Sequence, residues 1–468
     1  MTKIWQKGYS VNEQVERYTA AQNSLLDNRL IRHDVWGSLA HAMMLQQIGI
    51  LNDDELQALK QALSEVLEQE KTGNFIVKRS EEDVHTSIEN FLIEKVGPAG
   101  KNIHTARSRN DQVLVDVRLY SKEELIKTSR KLFALCETLL EFAKDNSDVP
   151  MPGYTHMQRA MLSSMGLWAA SFAESLLDDE RLLSTAYEIN DQSPLGSAAS
   201  YGVPLPIDRQ LVSDLLGFER VQNNVIYVQN ARGKIEGIIV QALTQIMLDL
   251  SRFAQDLLLF TTAEYGFFHV SQEVCTGSSI MPQKRNLDIM ELVRARSHTM
   301  LAYQQQIMSI VSGLPSGFNL DFQETKQPLI EALDLAQESI AICTLVLQNI
   351  TVNTERVMAA CTFELFATDR AYGMVTQENI PFRDAYRIVG KEVTAQLDQH
   401  IPFPTESQEQ LVARLKVRNH LGGTGNLELE QSQQRLTHAQ ESWQQRATTF
   451  KTAIQQLVGT SLIHILED

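Results

Sequence analysis

Apolar residues recur at helical spacing over unusually long stretches in the middle of this chain. Residues 111–144 contain no glycine or proline, and an apolar stripe runs through them from Val113 to Ala143. This pattern predicts one helix of about 34 residues, roughly 50 Å long at 1.5 Å per residue. Ordinary globular helices are about a third as long.

The same periodicity predicts four further long helices, over residues 163–190, 234–263, 286 to beyond 308, and 328–347. Five long helices with apolar seams indicate a helical bundle. The seams are extensive, which favours several chains that pool their helices in one core. The alternative is a monomer folded back on itself.

Shorter helical patterns flank the long ones, and few stretches are typical of strands. Asn52 and Glu55 have the spacing of a capping box ahead of an apolar helix face. We therefore expect an all-α protein with three mainly helical domains. These are an N-terminal domain over residues 1–110, a central long-helix bundle over 111–355 and a small C-terminal domain over 356–468.

Composition and charge limit which partners this protein is expected to bind and in which cell compartment it is expected to work. The formal net charge of −16 argues against a nucleic-acid or membrane-surface partner, and no apolar run reaches the length of a membrane span. The four cysteines form no C-x-x-C pair and no histidine cluster shows metal spacing, so we interpret the cysteines as small buried thiols and expect no metal site. The start of the chain, Met1 to Trp5, lacks a signal-peptide core, which favours the cytoplasm.

The most informative segment is residues 277–286, GSSIMPQKRN. It places the flexible Ser278 beside Lys284 and Asn286, just ahead of a predicted helix. Asn286 is a candidate N-cap of that helix, and a helix start beside cations attracts carboxylates. The segment thus offers a hydroxyl nucleophile or base next to an anion-binding corner. Taken alone, it is also typical of an ordinary Ser/Gly loop that leads into a helix.

Two other polar runs, residues 105–111 and 153–159, also lie at the starts or connections of long helices. If the helices form a bundle, the three loops can meet at one end or at a seam between chains, in a cleft suited to a small polyanion. Taken singly, Asn110 and Thr155 are typical of helix caps, and His156 is typical of a structural histidine.

Together, these runs suit an elimination next to a carboxylate. Removing a carbon-bound proton there produces a doubly charged carboxyl group, which Lys284 and Asn286 are suited to stabilise. Ser278 is a candidate base if its hydroxyl is activated, and His156 is a candidate acid or base because imidazole side chains commonly fill that role. Glu291, about one turn into the predicted helix, is placed to orient the histidine.

Segment 277–286 resembles the signature of the fumarase/aspartase superfamily. Within it, residues 104–112 (HTARSRNDQ) and 153–160 (GYTHMQRA) resemble the argininosuccinate lyase family, to which the delta-crystallins are related. Residues 80–86, 319–326 and 380–384 extend the match over nearly the whole chain. The resemblance implies a lyase that splits argininosuccinate into arginine and fumarate. The alternatives are an adenylosuccinate lyase-like enzyme and a crystallin-like structural protein.

The resemblance also implies roles for individual residues. The implied catalytic residues are Ser278, His156, Lys284 and Glu291; the implied substrate-binding residues are Ser24, Asn110, Thr155, Asn286, Gln323 and Lys326. Whether Ser278 or His156 takes the carbon-bound proton is open, and we favour Ser278. The family further implies a homotetramer whose active sites combine three chains, without metal or organic cofactor.

Three positions depart from the family pattern. Phe318 stands where a tyrosine is usual, so one substrate hydroxyl contact is missing. Leu287 replaces the usual proline after Asn286. The segment from Asn23 to Asp27 is one residue short between serine and aspartate, which shifts Ser24 relative to the pattern. A lost neutral hydrogen bond costs roughly 1 kcal/mol, which weakens binding more than it abolishes activity.

Overall fold

A computed structural model describes residues 12–20 and 23–459, and they form a mainly helical protein, as the sequence predicts. The prediction drawn from Met1 to Trp5 lies outside these residues. The α-helices are α1 Glu13–Ala20, α2 Asn23–Asp27, α3 Ile31–Gln47, α4 Asp53–Lys71, α5 Val84–Val96, α6 Pro98–Asn102, α7 Arg109–Asp145, α8 Met165–Asn190, α9 Arg209–Leu215, α10 Val225–Asn230, α11 Lys234–Phe260, α12 Asp288–Val311, α13 Lys326–Gln348, α14 Thr354–Ala359, α15 Ala367–Glu378, α16 Phe382–Asp398, α17 Gln408–Val417 and α18 Leu429–Val458. Within the described ranges, no helix is both long and apolar enough to cross a bilayer.

The five predicted long helices are present as α7, α8, α11, α12 and α13, with ends shifted by a few residues. The longest, α7, has 37 residues and spans about 55 Å. It begins with a capping box in which Ser108 caps the helix and Asp111 bonds back to the Ser108 N–H. The capping box predicted from Asn52 and Glu55 is also present, at the start of α4.

Four pairs of short strands accompany the helices. They are β1 Pro150–Thr155 with β2 Gln158–Ser164, β3 Gln192–Ser193 with β4 Arg220–Val221, β5 Phe268–Val270 with β8 Ile350–Val352, and β6 Thr276–Gly277 with β7 Arg285–Asn286. The β3–β4 pair is parallel and the other three are antiparallel. Two of these pairs, β1–β2 and β6–β7, carry sequence-predicted site residues on hairpins.

The predicted N-cap at Asn286 is wrong. Asn286 pairs with Thr276 across the β6–β7 hairpin, and α12 begins two residues later, at Asp288. The reason is Leu287, whose side chain is buried in the core and occupies the N-cap position without a side-chain cap. Burial of an apolar side chain here outweighs the modest gain from a polar cap.

Aromatic packing defines one end of the bundle, which we call the hairpin end. Trp168, near the start of α8, contacts Phe142 near the end of α7, Phe260 at the end of α11, and Phe268 of β5. Strand β5 pairs with β8, which directly follows α13. The C-termini of α7, α11 and α13 therefore meet the N-terminus of α8, and the β1–β2 hairpin joins α7 to α8 here.

The opposite end, which we call the pocket end, contains the N-termini of α7, α11 and α13. Gly233 precedes α11 with a φ of +72°, and a β-carbon there would lie 2.1 Å from Val311, the last residue of α12. Only glycine permits both this backbone conformation and this close approach. Since α11 and α12 run antiparallel, the N-terminus of α12 lies at the hairpin end.

The remaining helices cover this bundle. Helices α3, α4 and α18 contribute to the main hydrophobic core, whereas α15 to α17 surround two small separate clusters. One of these clusters contains Cys361, Leu365 and Leu411, and the other contains Ala371, Ala385 and Val389. The division of the chain into three domains at residues 110 and 355 stays a prediction.

Candidate active site

His156 lies at the tip of the β1–β2 hairpin, at the hairpin end of the bundle. His156 and Met157 both have positive φ, 52° and 60°, between the paired residues Thr155 and Gln158. Two central residues with positive φ are typical of a tight type I′ turn, and non-glycine residues rarely adopt it. Thr155 and His156 are exposed, and within the described residues their side chains have no polar partner.

Ser278 lies on the loop between β6 and β7, also at the hairpin end. Its Oγ accepts the backbone N–H groups of Ile280 at 3.3 Å and Met281 at 3.1 Å. Lys284 is exposed on the same loop. Two N–H donors and a nearby cation favour negative charge on the serine oxygen. The loop thus holds the Ser278 hydroxyl by two backbone donors and carries a cation in the same segment.

The strand that precedes this loop is hydrogen-bonded to the start of α12. Thr276 Oγ1 donates to Asp288 Oδ2 at 2.6 Å, joining β6 to the first residue of the helix. Glu291, in the first turn of α12, is exposed and makes no polar contact within the described part of the chain. The expected pairing of Glu291 with His156 is therefore not formed inside one chain.

A cavity of about 220 Å³ at the pocket end brings together three predicted substrate-binding residues, Asn110, Gln323 and Lys326. Its other charged or aromatic lining residues are Asp27, Glu82, Asp83, His85, Arg109, Arg232 and Phe318. Asp83 and His85 lie in residues 80–86, which resemble the family sequence, but the resemblance gave neither residue a role. Nothing in the sequence signalled Arg232, because a lone arginine before a helix is typical of a surface cation.

Lys326 and Asp27 form a buried ion pair beside this cavity. Asp27 Oδ2 also accepts the N–H of Val84 at 3.1 Å, so its carboxylate is held by two elements. Ser24 lies one turn earlier in α2 and is buried, yet it does not line the cavity. The structure thus places Asp27, rather than Ser24, at the pocket.

Arg232 forms part of the cavity wall between two aromatic rings. Its guanidinium lies 5.3 Å from the ring centre of Phe318 and 5.5 Å from that of Phe322. Burial lowers the pKa of Arg232 to about 10, against the opposing effect of Glu236. The phenylalanine that departs from the family pattern therefore supports a cation by a cation–π contact.

Behind the cavity, His85 lies between two buried carboxylates. Its Nδ1 is 2.5 Å from Asp34 Oδ2 and 3.6 Å from Asp116 Oδ2. Burial raises the pKa of Asp116 well above its usual value, and the Asp34 charge adds to this. These three residues are close enough to hold a metal ion, but Asp34 already accepts bonds from Gln112 and Ser38. Hydrogen bonds therefore hold Asp34, whereas neither carboxylate oxygen of Asp116 has a hydrogen-bond partner within the described residues.

The predicted site residues fall into two groups at opposite ends of the bundle. The hairpin-end group is Thr155, His156, Ser278, Lys284, Asn286 and Glu291; the pocket-end group is Ser24, Asn110, Gln323 and Lys326. Helix α13 starts at Lys326 and has 23 residues, so the two ends are separated by about 35 Å. A small substrate cannot contact both groups of one chain.

Solved structures share this architecture along the whole chain. An EDDS lyase in complex with formate has a TM-score of 0.81 at 21% identity, covering 98% of this chain and 97% of the other. A fumarate lyase:delta crystallin from Brucella melitensis has a TM-score of 0.69 at 17% identity, covering 91% and 95%. The fold is therefore that of the fumarate lyases.

Sequence comparisons identify the family within this class of fold. The family described as "Lyase" matches residues 10–301, and "Argininosuccinate lyase C-terminal" matches residues 364–420. The argininosuccinate lyase of Thermotoga neapolitana is 43% identical over 85% of this chain and 99% of its own length. That of Sorangium cellulosum is 40% identical over 93% and 98%. The chain belongs to the argininosuccinate lyase family.

Proposed function

We propose that this protein cleaves argininosuccinate into arginine and fumarate by acid/base elimination. Family membership supports the substrate. The geometric observation that carries the chemistry is the Ser278 hydroxyl, which is held by two backbone N–H groups on an exposed loop beside Lys284. This arrangement suits removal of a carbon-bound proton next to a carboxylate.

In the proposed reaction, the Ser278 hydroxyl first loses its proton to solvent, and the resulting alkoxide takes the proton from the carbon beside one succinyl carboxylate. The electron pair left on that carbon spreads into the carboxyl group, giving an aci-carboxylate with two negative charges. Lys284 and Asn286 stabilise this charge, since a cation and an amide donor act strongly when water is excluded. The carbon–nitrogen bond then breaks and fumarate forms.

His156 serves the leaving side in this proposal. The departing guanidino nitrogen needs a proton, and an imidazole is the side chain best suited to supply one near neutral pH. Glu291 orients the imidazole across a chain boundary, because the two do not pair within one chain. Thr155, next to His156 on the hairpin, contacts a substrate carboxylate.

The pocket end binds the rest of the substrate. Asn110, Gln323 and Lys326 share a cavity that also exposes carboxylates and guanidinium groups. Such a mixed lining suits argininosuccinate, which carries carboxylates together with an ammonium and a guanidino group. Because Asp27 holds Lys326 in place, the ammonium group is oriented before the substrate arrives.

We propose that three chains of a homotetramer complete each active site. The two groups of residues lie about 35 Å apart in one chain, so pocket-end residues must meet hairpin-end residues of neighbouring chains. Exposed apolar side chains on the bundle support association: Leu248 of α11, Leu292, Leu301 and Met308 of α12, and Leu345 of α13. We further propose that the enzyme works in the cytoplasm.

The direct test of the activity follows fumarate by its ultraviolet absorbance. Argininosuccinate should release fumarate, whereas adenylosuccinate and malate should not. Release from adenylosuccinate alone would support the adenylosuccinate lyase-like alternative. No release from any of the three would support the crystallin-like structural alternative.

The composite site has a separate test. Ser278→Ala removes a hairpin-end group and Asn110→Ala a pocket-end group, so each variant alone should be nearly inactive. Co-expressed, they should form mixed particles in which some sites combine the intact ends of different chains. Recovered activity, with about four chains per particle in sedimentation, supports the proposal. A fully active monomer would contradict it.

A further inference from the structure

One buried carboxylate joins the start of α7 to a distant loop. Asp111 is fully buried and directly follows Asn110 of the cavity. Its Oδ1 accepts the N–H of Ser108 at 2.9 Å, which closes the capping box. Its Oδ2 accepts the N–H groups of Gly196 at 3.0 Å and Ala198 at 2.7 Å. The second oxygen therefore binds a distant loop, which helix capping does not require.

The loop that Asp111 binds has an unusual backbone. Positive φ values alternate along it, at Gly196 (84°), Ala198 (51°), Ser200 (86°) and Gly202 (71°). Alanine and serine adopt this region at a steric cost, so the conformation needs support from outside the loop. Successive N–H groups that converge on one point form an anion-binding nest. Here the bound anion is the carboxylate of Asp111.

The same loop reaches the opposite wall of the cavity. A β-carbon at Gly317 would lie 3.7 Å from the Tyr201 hydroxyl and 3.8 Å from Ser200 Oγ, so the loop is in close proximity to the backbone at residue 317. The next residue, Phe318, lines the cavity that Asn110 also lines. Asp111 thus joins the helix start that carries Asn110 to a loop that approaches the residue before Phe318.

We infer that Asp111 is a positioning residue, which fixes Asn110 and the wall at Phe318 at the separation that substrate binding needs. It cannot touch the substrate, because its side chain is fully buried. This inference rests on the proposed function, since it assumes that the cavity at the pocket end binds the substrate. The loop and the helix start then form one rigid unit whose geometry depends on the negative charge.

Asp111→Asn tests this with almost no change in size. The amide carries no charge and places a donor against at least one N–H group whichever way it is turned, so the nest loses its anion. We expect KM for argininosuccinate to rise about tenfold while kcat changes much less, as when binding common to ground and transition states is lost. Hydrogen exchange of the peptide over residues 195–202 should become faster.

Adding Ala198→Gly to Asp111→Asn tests whether the lost substrate affinity can be restored. Glycine adopts a positive φ without steric cost, so the double variant should recover part of the lost affinity. If Asp111→Asn does not fold, Ala198→Val in the unchanged chain takes its place, because a β-branched residue disfavours positive φ. That variant should raise KM in the same way, and an unchanged KM would overturn the inference.

The matched control is Glu55→Gln, at the corresponding position of the capping box in α4. Glu55 Oε2 accepts the Asn52 N–H at 2.9 Å, but no distant loop depends on it. It should leave KM and loop exchange unchanged. A wild-type KM and wild-type exchange in Asp111→Asn would refute the inference while the proposed function stands. If the unchanged protein released no fumarate, the proposed function would fail instead, and the exchange of residues 195–202 would still decide whether Asp111 holds the loop.

Discussion

The two ends of the bundle differ in how the polar residues named in the proposed mechanism and inference are held. At the pocket end, Lys326 is buried against Asp27, and Asp111 accepts three backbone N–H groups. At the hairpin end, His156 and Glu291 are exposed and have no polar partner within the described residues. Lys326 and Asp111 are therefore held within one chain, whereas His156 and Glu291 are exposed where the proposed assembly would place a neighbouring chain.

The largest effect should come from the hairpin end. Ser278→Ala removes the proposed base, so kcat should fall by roughly 10²–10⁴-fold with the fold intact. Substrate binding should remain, because most binding groups lie elsewhere. Single-turnover kinetics and equilibrium binding to argininosuccinate measure the two effects separately.

Ser279→Ala is the matched control on the same loop. Ser279 is exposed, and in the described structure its hydroxyl has no hydrogen bond. It should retain near-normal turnover. Equal losses in both variants would mean that the loop as a whole, rather than the Ser278 hydroxyl, is what the reaction needs.

At the pocket end the main effect should be on stability. Lys326→Met leaves Asp27 buried without its cation, and within the described residues the Val84 N–H is then the remaining partner of its carboxylate. Breaking a buried ion pair from one side costs about 3–5 kcal/mol of the free energy of unfolding. Urea denaturation at a fixed protein concentration measures this loss.

An exposed ion pair provides the comparison. Arg29 contacts Asp334 with both side chains 40% exposed. Arg29→Met should therefore cost less than about 1 kcal/mol. A loss as large as that of Lys326→Met would contradict the view that burial makes the pocket-end pair important.

The long helices could be predicted from the sequence because their signal is local. An apolar stripe without glycine or proline, as in α7, fixes a helix whatever its neighbours are. The capping box of Asn52 and Glu55 was also readable, since both partners lie within one turn. The five long helices and this capping box are confirmed, apart from shifts of a few residues at helix ends, whereas the 30-residue helix α18 lies where only shorter helices were expected.

The features that the sequence did not reveal depend on distant parts of the chain. Asn286 had the residue type of an N-cap, but pairing with Thr276 and burial of Leu287 moved the helix start. The three polar runs were expected to meet at one end or at a seam between chains. One chain separates them by the length of its helices, so the seam between chains stays a prediction. Arg232 gained a place in the cavity only through contacts with Phe318 and Phe322.

The smallest effect should be a pH dependence that arises at the pocket end. Burial, reinforced by Arg107, lowers the pKa of His41 to about 3. The folded state keeps His41 neutral, whereas the unfolded chain binds a proton below its usual pKa of about 6.5. Between these two values the unfolded state binds more protons, so stability falls as the pH falls.

His41→Gln should remove this contribution, while its amide can still donate to the Thr105 carbonyl that His41 Nε2 contacts at 2.8 Å. Relative to its own stability at neutral pH, the wild type should lose about 2 kcal/mol more than the variant by about pH 5. Unfolding free energies from urea titrations across this range measure the difference. Parallel acid profiles would show that His41 becomes protonated without unfolding, and that the pocket end is less rigid than its hydrogen bonds suggest.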